Sequence, residues 1–418
     1  MKKITITNAY TWYNKGDAGI LLGIVNTLKK IYGYDIEINI LSFTPDEDRK
    51  RYCNDNCIKN VESSILNPFP FKHSKIGKLI AIIKLIVKMI YLTVMMKFSM
   101  KKLIKKDRSF NLMSESDIIV VCGGGFLGGK KFDSLMHLFQ IYANTKFNKP
   151  VVMMGTSIEP IKNRIIKHYT ESVLLKVDYI YAREKITYEY LSNFMLKEKY
   201  TLIPDMAFML EDIEEESTLI SEFKKKYSVI FGITVRKWNF PNLQTSSEDA
   251  MERYMNSIAD VMLELAKNDN VGFVFVPQVI VAHADDTDVA KSIREKIPKE
   301  YRDSFLILDN DLSPVEIKSL IGNFDYFIGT RMHSNIFATS MKVPTVAIAY
   351  EKKTNGIMET VGLQDYLVEI DEITFEDLMG KIGEMVKNGK LLQQKLGETI
   401  PMLRSEIMNK MEQVMKKL

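Results

Sequence analysis

The first half of the chain alternates short apolar runs with longer segments of helical spacing. Ile4–Asn8 is followed by a polar loop and then by a helical pattern over Ala18–Tyr32. A continuous apolar run that ends in glycines, as at Asp117–Cys122, is typical of a central parallel strand. The other strands predicted in this half are Ile36–Phe43, Val151–Met154 and Val177–Ala182. This alternation predicts a parallel, doubly wound sheet.

The second half of the chain restarts the same alternation after a change in composition. Between Glu211 and Lys226 an acidic run gives way to three lysines, and we place the inter-domain linker there. A helix is predicted over Glu248–Lys267, and strands are predicted at Val229–Val235, Val271–Val276, Asp325–Gly329 and Thr345–Ala349. The sequence therefore predicts an α/β protein with two Rossmann-like domains, 1–215 and 226–390, an inter-domain cleft of the GT-B-like kind, and a C-terminal helical segment, 391–418.

One segment of the first half, Lys75–Lys106, departs from this pattern. It is dense in Ile, Leu, Met and Lys, with Lys72 just before it and no acidic residue until Asp107. One interpretation is a core helix with solvated lysines, and the other is a helix resting on anionic lipid. A transmembrane span is disfavoured because Lys84 and Lys88 interrupt the centre of the apolar stretch. The lysines do not fall on one face, and we favour the lipid interpretation by a small margin.

Composition limits the classes of function. The chain has 418 residues, 46% of them hydrophobic and 26% charged, which is enough apolar material for two cores. A formal net charge of +4 is too small to predict a nucleic-acid partner. Three cysteines, Cys53, Cys57 and Cys122, suit neither a disulfide framework nor a zinc site. With a first segment that resembles a strand and no secretory signal, the sequence predicts a cytoplasmic protein without a metal.

Two candidate binding loops follow predicted strands of the first domain. Asn14, Gly16 and Asp17 lie after the first strand and open a helix, where glycine permits close approach and helix amides favour an anion. Asp17 is equally well explained as a helix cap or as a catalytic or acceptor-binding group. Gly124 and Gly125 belong to a triple glycine that we expect to form a tight turn for a phosphate or sugar, although such turns also close α/β units that bind nothing.

Two arginines also follow predicted strands. Arg183 lies after Val177–Ala182, beside Glu184, with which an exposed ion pair is the simpler interpretation. Asp205 is either a turn residue or part of a binding wall. Arg236 closes the first strand of the second half, where a guanidinium is well placed to bind a carboxylate or phosphate in bidentate fashion.

The strongest candidate group lies late in the second half. Arg331 and His333 are two residues apart at a predicted strand-to-helix junction, a position that attracts anions. A lone histidine is more often structural, but here Arg331 shares the site. Lys353, next to Lys352, brings a cation to the same predicted edge. Gln278 follows Val271–Val276, and the acids beyond it, Asp285, Asp286 and Asp288, are candidate helix caps.

These motifs, taken in order, resemble those of the polysaccharide pyruvyl transferases. The resembling segments are Asn14–Asp17, Asp117–Gly125, Ala182–Glu184, Ile203–Asp205, Val235–Trp238, Val276–Gln278, Thr330–Ser334 and Tyr350–Lys353. Each is weak alone, whereas the ordered set spans most of the chain, and the Arg331–Met332–His333 triplet carries the most weight.

The resemblance implies a specific reaction and places the donor and the acceptor on different domains. The donor would be phosphoenolpyruvate, with no further cofactor, bound on the C-terminal side. The acceptor, on the N-terminal side, would be a sugar of a cell-surface polysaccharide or of its lipid-linked precursor, and the product a pyruvate ketal. Arg331 and His333 match the family's donor-site pair, Arg236 its strand-end arginine and Lys353 its lysine. A lipid-linked acceptor would suit a peripheral position on the inner face of the membrane.

We expect His333 to act as the proton donor or to stabilise the departing phosphate, because histidine titrates near neutral pH. Asp17 is the lesser candidate, as a base toward the acceptor hydroxyl. Two alternatives remain open. One is a GT-B glycosyltransferase that uses a nucleotide-sugar. No acidic residue late in the second half is clearly placed to bind a ribose, which argues against it, although Glu351 and Glu359 leave it open. The other is a non-catalytic protein that binds a sugar or an anion.

Overall fold

A computed structural model describes residues 1–67, 75–128, 132–213, 218–268, 270–280 and 285–418. The chain forms two compact units. Unit 1 contains 1–12, 20–209 and 406–418, and unit 2 contains 13–19 and 210–405. This division differs from the boundaries expected from the sequence, because 13–19 group with the second unit and 406–418 with the first. Lys72 and residues 214–217 of the predicted linker lie outside the described residues.

Unit 1 is built on a seven-stranded sheet in which every pair of neighbours is parallel, in the order β3-β2-β1-β4-β5-β6-β7. Its strands are β1 (Lys2–Ala9), β2 (Ile36–Ser42), β3 (Ile58–Ser63), β4 (Ile118–Leu127), β5 (Val151–Ile158), β6 (Tyr179–Ala182) and β7 (Tyr200–Leu202). Its helices are α1 (Lys15–Tyr32, whose first residues belong to unit 2), α2 (Pro45–Tyr52), α3 (Lys75–Phe98), α4 (Met100–Lys106), α5 (Arg108–Glu115), α6 (Phe132–Asn144), α7 (Arg164–Leu174) and α8 (Lys185–Ser192). Short 3-10 turns occupy Lys197–Lys199 and Met206–Met209.

Unit 2 is built on a six-stranded parallel sheet in the order β10-β9-β8-β11-β12-β13. Its strands are β8 (Val229–Thr234), β9 (Val271–Phe275), β10 (Phe305–Ile307), β11 (Tyr326–Gly329), β12 (Thr345–Ala349) and β13 (Leu367–Glu369). Its helices are α9 (Thr218–Lys226), α10 (Ser247–Ala266), α11 (Asp286–Lys296), α12 (Pro314–Ile321), α13 (Met332–Ser340), α14 (Lys352–Thr360), α15 (Phe375–Lys387) and α16 (Gly389–Met415, whose last turns belong to unit 1), with a 3-10 turn at Lys299–Ser304.

Both sheets reverse their strand order at one point. In unit 1 the reversal falls between β1 and β4, and in unit 2 it falls between β8 and β11. The crevice outside the carboxyl ends of the strands at such a switch point is where open α/β sheets bind ligands. The predicted fold class, two parallel-sheet α/β domains, is confirmed.

The triple glycine does not form the turn that the sequence predicts. Gly123, Gly124 and Gly125 continue strand β4, which pairs with β5 as far as Leu127. A Cβ on Gly123 would lie closer than 3.0 Å to the carbonyl oxygens of Met154 and Gly155, so this glycine permits close approach of β5. Gly124 has φ of 149°, which side chains rarely adopt, and a register shift follows it.

The basic and apolar segment of the first half forms two consecutive helices, α3 and α4. Leu92 and Met96 of α3 belong to the hydrophobic core of unit 1. Most of its other side chains are exposed, and only 11% of the stretch Leu79–Phe98 is buried. By length and composition alone, this is the one helix in the described part of the chain that is apolar enough to cross a membrane.

Candidate active site

In unit 2, four neighbouring strands bring predicted site residues to one edge of the sheet. Strands β9, β8, β11 and β12 are adjacent and parallel. Their carboxyl ends lead to Gln278, Arg236, Arg331 with His333, and Lys353 respectively. Since these strands flank the switch point between β8 and β11, the site lies where an α/β sheet is expected to bind its ligand.

The imidazole of His333 packs against the backbone of Gly16. His333 lies in the first turn of α13 and is half-buried. A Cβ at position 16 would lie closer than 3.0 Å to three atoms of the His333 side chain. Any side chain at position 16 would therefore displace the ring, which explains the need for glycine in the Asn14–Asp17 motif.

The backbone of residues 13–15 is held beside the end of β9. Asn14 pairs with Val279 in an antiparallel bridge, and the amide of Lys15 donates to the carbonyl of Gln278 at 2.9 Å. The side chain of Lys15 is fully buried and forms an ion pair with Asp311. The Asn14–Asp17 motif is therefore part of unit 2 and of the same site as His333.

Asn14 and Asp17 contact each other in the first turn of α1. The Asn14 amide donates to the Asp17 carboxylate at 2.5 Å, and the Asp17 amide donates to Asn14 Oδ1 at 3.4 Å. Asn14, rather than Asp17, thus accepts from a backbone amide of the first turn. Asp17 is half-buried and one residue from Gly16, which carries the His333 ring.

Arg331 already has an internal partner. Its Nε lies 3.2 and 3.1 Å from the two carboxylate oxygens of Asp286, and its Nη2 donates to the same carboxylate. Asp286 is 2% exposed and also accepts from the amides of Gln278 and Val279, both at 3.1 Å. Burial raises the pKa of Asp286, while Arg331 and the two amides oppose that shift. Asp286 therefore contacts two of the three guanidinium nitrogens of Arg331, and the donor-binding role of Arg331 stays a prediction.

Arg236 is held in a different way, against two neighbouring aromatic rings whose centroids are 4.9 Å apart. Its Cζ lies 3.8 Å from the ring centroid of Tyr350 and 4.6 Å from that of Trp238. Nε donates to the carbonyl of Lys237 at 3.3 Å. No carboxylate among the described residues forms an ion pair with it, although burial and the nearby charge of Arg331 both lower its pKa. The Arg236 guanidinium is thus held by ring contacts and by one backbone carbonyl.

Two other groups at this edge present buried polar atoms. Gln278 is 2% exposed, and its Oε1 and Nε2 form no hydrogen bond with any described residue. The same holds for Nε1 of Trp238, beside Arg236. Buried amide and indole groups are normally hydrogen-bonded, so each such atom in a native structure needs an explanation. A ligand with several oxygen acceptors would supply one.

The two adjacent lysines in the first turn of α14 differ in exposure. Lys352 is exposed, whereas Lys353 is half-buried beside the buried Thr354. Glu351 precedes the helix as an exposed residue whose charge acts on both Tyr350 and Arg236. Glu359, the other acid considered for a ribose, is exposed at the end of α14. Lys353 is thus the better placed of the two lysines for a role in the site.

The predicted site residues of unit 1 have other contacts. Arg183 forms a buried ion pair with Asp205 at 2.7 Å and donates to Ser157 at 2.7 Å, rather than pairing with Glu184 on the surface. Arg183 and Asp205 are 5% and 0% exposed. The Ala182–Glu184 and Ile203–Asp205 motifs therefore supply the two members of one ion pair. Through it and Ser157, Arg183 holds β5, β6 and the loop after β7 together. Gly124 is buried in β4 and Gly125 is exposed.

Sequence patterns alone did not identify the contacts that several residues make in the unit 2 site. Asp286 was considered only as a helix cap, yet the cap is Asp285, which accepts from Thr287. Lys15, Trp238 and Tyr350 lie inside the motifs but were given no role. Pairing of aromatic residues with a strand-end arginine is the signal that could have identified the last two. The described residues contain no cluster of three or more His, Cys, Asp or Glu side chains in metal-binding range.

Solved structures with the same fold include sugar-nucleotide enzymes. UDP-GlcNAc 2-epimerase from Neisseria meningitidis bound to UDP-GlcNAc aligns with a TM-score of 0.55 at 12% identity, covering 95% of this chain and 94% of that one. Anabaena Alr3699/HepE in complex with UDP and glucose aligns with a TM-score of 0.58 at 11% identity, covering all of both chains. At these identities the likeness shows the GT-B-type fold alone.

Sequence comparison identifies the family. The amylovoran biosynthesis protein AmsJ from Erwinia amylovora is 22% identical over 416 residues, which covers 95% of each chain. The family model described as polysaccharide pyruvyl transferase matches residues 14–352, from the loop that carries Gly16 to the start of α14. This chain therefore belongs to the polysaccharide pyruvyl transferase family, whose members are transferases of polysaccharide biosynthesis.

Proposed function

We propose that this protein transfers the pyruvyl group of phosphoenolpyruvate to two hydroxyls of a sugar, forming a ketal and releasing phosphate. The acceptor is a cell-surface polysaccharide or its lipid-linked precursor. The observation that carries the choice of donor is the Arg236 guanidinium, which packs against Trp238 and Tyr350 and has no ion-pair partner among the described residues. Phosphoenolpyruvate has a carboxylate and a phosphate, and either matches that fork.

The surroundings of Arg236 also suit a small dianionic donor. The buried amide of Gln278 and the indole N–H of Trp238 provide hydrogen-bonding groups, and Lys353 adds a cation. Helices α13 and α14 both begin at this edge of the sheet, and their N-termini favour negative charge. In this proposal Arg331 contributes through its field and through the position of Asp286, rather than as a free bidentate ligand.

The reaction balances without a redox step. A proton is added to the methylene carbon of phosphoenolpyruvate, which makes C2 electrophilic. The first sugar hydroxyl attacks C2 and loses its proton, the C2–O bond to phosphate breaks, and the second hydroxyl closes the ring with loss of its own proton. One proton is consumed and two are released, one of which leaves with phosphate. No separate cofactor is required, so turnover should survive dialysis against EDTA.

His333 is the proposed acid for the first proton transfer. It stands in the first turn of α13, against Gly16 and two residues after Arg331. A histidine can deliver a proton near neutral pH, which matches the requirement of an enol phosphate that must be protonated on carbon. Asp17, one residue from Gly16, is proposed as the base that receives the proton of an attacking hydroxyl.

The test is a product assay with the full chain. The protein is incubated with phosphoenolpyruvate and a panel of free and lipid-linked glycans, and released phosphate is measured together with pyruvylated glycan by mass spectrometry. We expect phosphate release that depends on the glycan and on Arg236, and that persists in the control variant Lys237→Ala, which removes the adjacent exposed cation. Stabilisation by a UDP-sugar, with no response to phosphoenolpyruvate, would instead favour a nucleotide-sugar transferase.

A further inference from the structure

Helix α3 presents an apolar surface to solvent. Most large apolar side chains of a globular protein are buried. A large contiguous patch of exposed ones marks an interaction surface. Nine such side chains of α3 are 43–73% exposed: Leu79, Ile80, Ile83, Ile86, Val87, Ile90, Tyr91, Val94 and Phe98. Unit 1 therefore exposes an apolar surface along most of a 24-residue helix.

These residues form a continuous stripe. Their spacing of three or four residues places them on one side of the helix, within an arc of roughly 140° at 100° per residue. The opposite side carries Leu92 and Met96, which are 4% and 7% exposed and belong to the core of unit 1. The helix is thus fixed to the protein by one face and presents the other.

The charges around the stripe all have one sign. Lys84 and Lys88 are exposed, one turn apart, and project along one margin of the stripe. Beyond the end of α3, helix α4 adds exposed lysines at 101, 102, 105 and 106. The sequence contains no Asp or Glu from 63 to 106. An apolar stripe bordered by cations alone is complementary to a surface that is apolar inside and negative outside.

We propose that α3 is a docking surface for an anionic lipid bilayer and lies in the plane of the interface. Its stripe enters the boundary between headgroups and acyl chains, while Lys84 and Lys88 extend to the lipid phosphates. A spanning orientation is disfavoured because Leu92 and Met96 are packed in the core and two lysines occupy the middle of the helix. A second copy of this chain is disfavoured because the same lysines would face each other. This proposal does not depend on the donor or on ketal chemistry.

Flotation of the full-length protein with vesicles tests the proposal. Vesicles of phosphatidylcholine alone are compared with vesicles containing about a quarter phosphatidylglycerol. We expect binding to the anionic vesicles only, weakened by high salt because surface attraction is screened. Ile90→Gln with Val94→Gln, and separately Lys84→Gln with Lys88→Gln, should each reduce partitioning about tenfold, since each removes two contributions of apolar or electrostatic binding.

Matched substitutions separate this surface from general properties of the chain. Ile165→Gln removes an apolar side chain that is 81% exposed on α7, and Lys30→Gln with Lys417→Gln removes the same charge from exposed positions of unit 1. Both controls should bind vesicles as the unsubstituted protein does. Failure of the unsubstituted protein to float, or equal loss in the controls and the α3 variants, would overturn the proposal. A dimer that Ile90→Gln dissociates in sedimentation would also overturn it, in favour of a second copy.

Discussion

His333 depends for its position on a residue that has no side chain. Because a Cβ at position 16 would overlap the imidazole, the two residues act as a pair, and both should be needed for turnover. We expect His333→Ala to lower kcat by about 10²-fold or more, the usual range for a lost acid–base group, with little change in folding. Gly16→Ala should lower kcat as well, because it moves the ring.

Gly356→Ala is the control for the glycine substitution. Gly356 lies in α14, and a Cβ there would meet no atom within 4 Å. Alanine should therefore be neutral or stabilising by about 0.5–1 kcal/mol, since it favours helix. Normal turnover in both His333→Ala and Gly16→Ala would remove His333 from the proposed chemistry.

Because Arg331 is paired with the buried Asp286, we expect its removal to lower the stability of the fold ahead of any loss of donor affinity. Removing Arg331 leaves the buried Asp286 carboxylate without its counter-ion, so Arg331→Ala should lower the free energy of unfolding by about 3–5 kcal/mol. The double variant Arg331→Ala with Asp286→Ala should cost less than the sum of the two single changes, and exposed Arg164→Ala should cost little. Denaturant titration measures all four, and strict additivity would contradict the pairing.

His137 should make unit 1 sensitive to acid. It is 4% exposed, stacks on Phe126 at 4.2 Å, and its Nδ1 lies 3.1 Å from the Asn8 amide. Burial lowers the pKa of His137 from 6.5 to about 3. As the pH falls below 6.5 the unfolded state takes up a proton that the folded state does not, so stability decreases toward pH 3.

This linkage predicts a loss of about 2 kcal/mol in the free energy of unfolding between pH 7 and pH 5 from His137 alone. His137→Gln keeps a hydrogen-bond acceptor for Asn8 and has no group that titrates in this range. The loss between the two pH values should therefore shrink by about that amount in His137→Gln, but not in the exposed His168→Gln. An unchanged pH dependence in His137→Gln would contradict the assignment.

Sequence patterns identified where charged residues stand, but not which of them neutralise each other. Arg331 and Asp286 are 45 positions apart, and Arg183 and Asp205 are 22 apart. Both arginines follow buried strands, as Arg236 does, so all three are candidate site residues by their position in the pattern. The three differ only in the partner that the fold brings to them. Pairing across this distance depends on tertiary structure, which local spacing does not encode.

At the scale of elements, the central strands were predictable and the edges were not. β4, β8 and β11 contain apolar runs because both faces of each are covered, and β1 is buried too although it alternates Ile with Thr. The edge strands β3, β7, β10 and β13 have three to six residues and carry exposed or half-buried positions, so no comparable run marks them. The length of β4 was also underestimated, since glycine usually ends a strand pattern.

A substitution in β4 tests whether Gly123, Gly124 and Gly125 belong to the strand and not to a turn. Because a Cβ on Gly123 would meet the β5 backbone, Gly123→Ala should lower the free energy of unfolding by about 1–3 kcal/mol, as overpacking does. Gly383→Ala in α15, where a Cβ would meet nothing within 4 Å, should be neutral or stabilising. Thermal unfolding compares the two. Equal stability would mean that residues 123–125 form a loop that can move away from β5.

At the scale of the whole molecule, the two sheets have the same strand order except for the additional edge strand β7 of unit 1. The strand order of each sheet reverses once. In unit 2 the reversal falls between β8, which leads to Arg236, and β11, which leads to Arg331 and His333. Family membership assigns the chain to polysaccharide pyruvyl transfer. The proposed choice of phosphoenolpyruvate depends on one feature of this edge, the Arg236 guanidinium packed against Trp238 and Tyr350.

Isothermal titration with phosphoenolpyruvate tests that central claim most directly. The unsubstituted protein and Lys237→Ala should bind the donor with similar affinity, whereas Arg236→Ala should lose at least about tenfold, because a charge-assisted hydrogen bond contributes about 1.5–3 kcal/mol. Arg236→Lys should recover only part of the affinity, since a point charge does not replace a planar fork. If Arg236→Ala binds phosphoenolpyruvate as tightly as the unsubstituted protein, the donor site is elsewhere and the account is wrong.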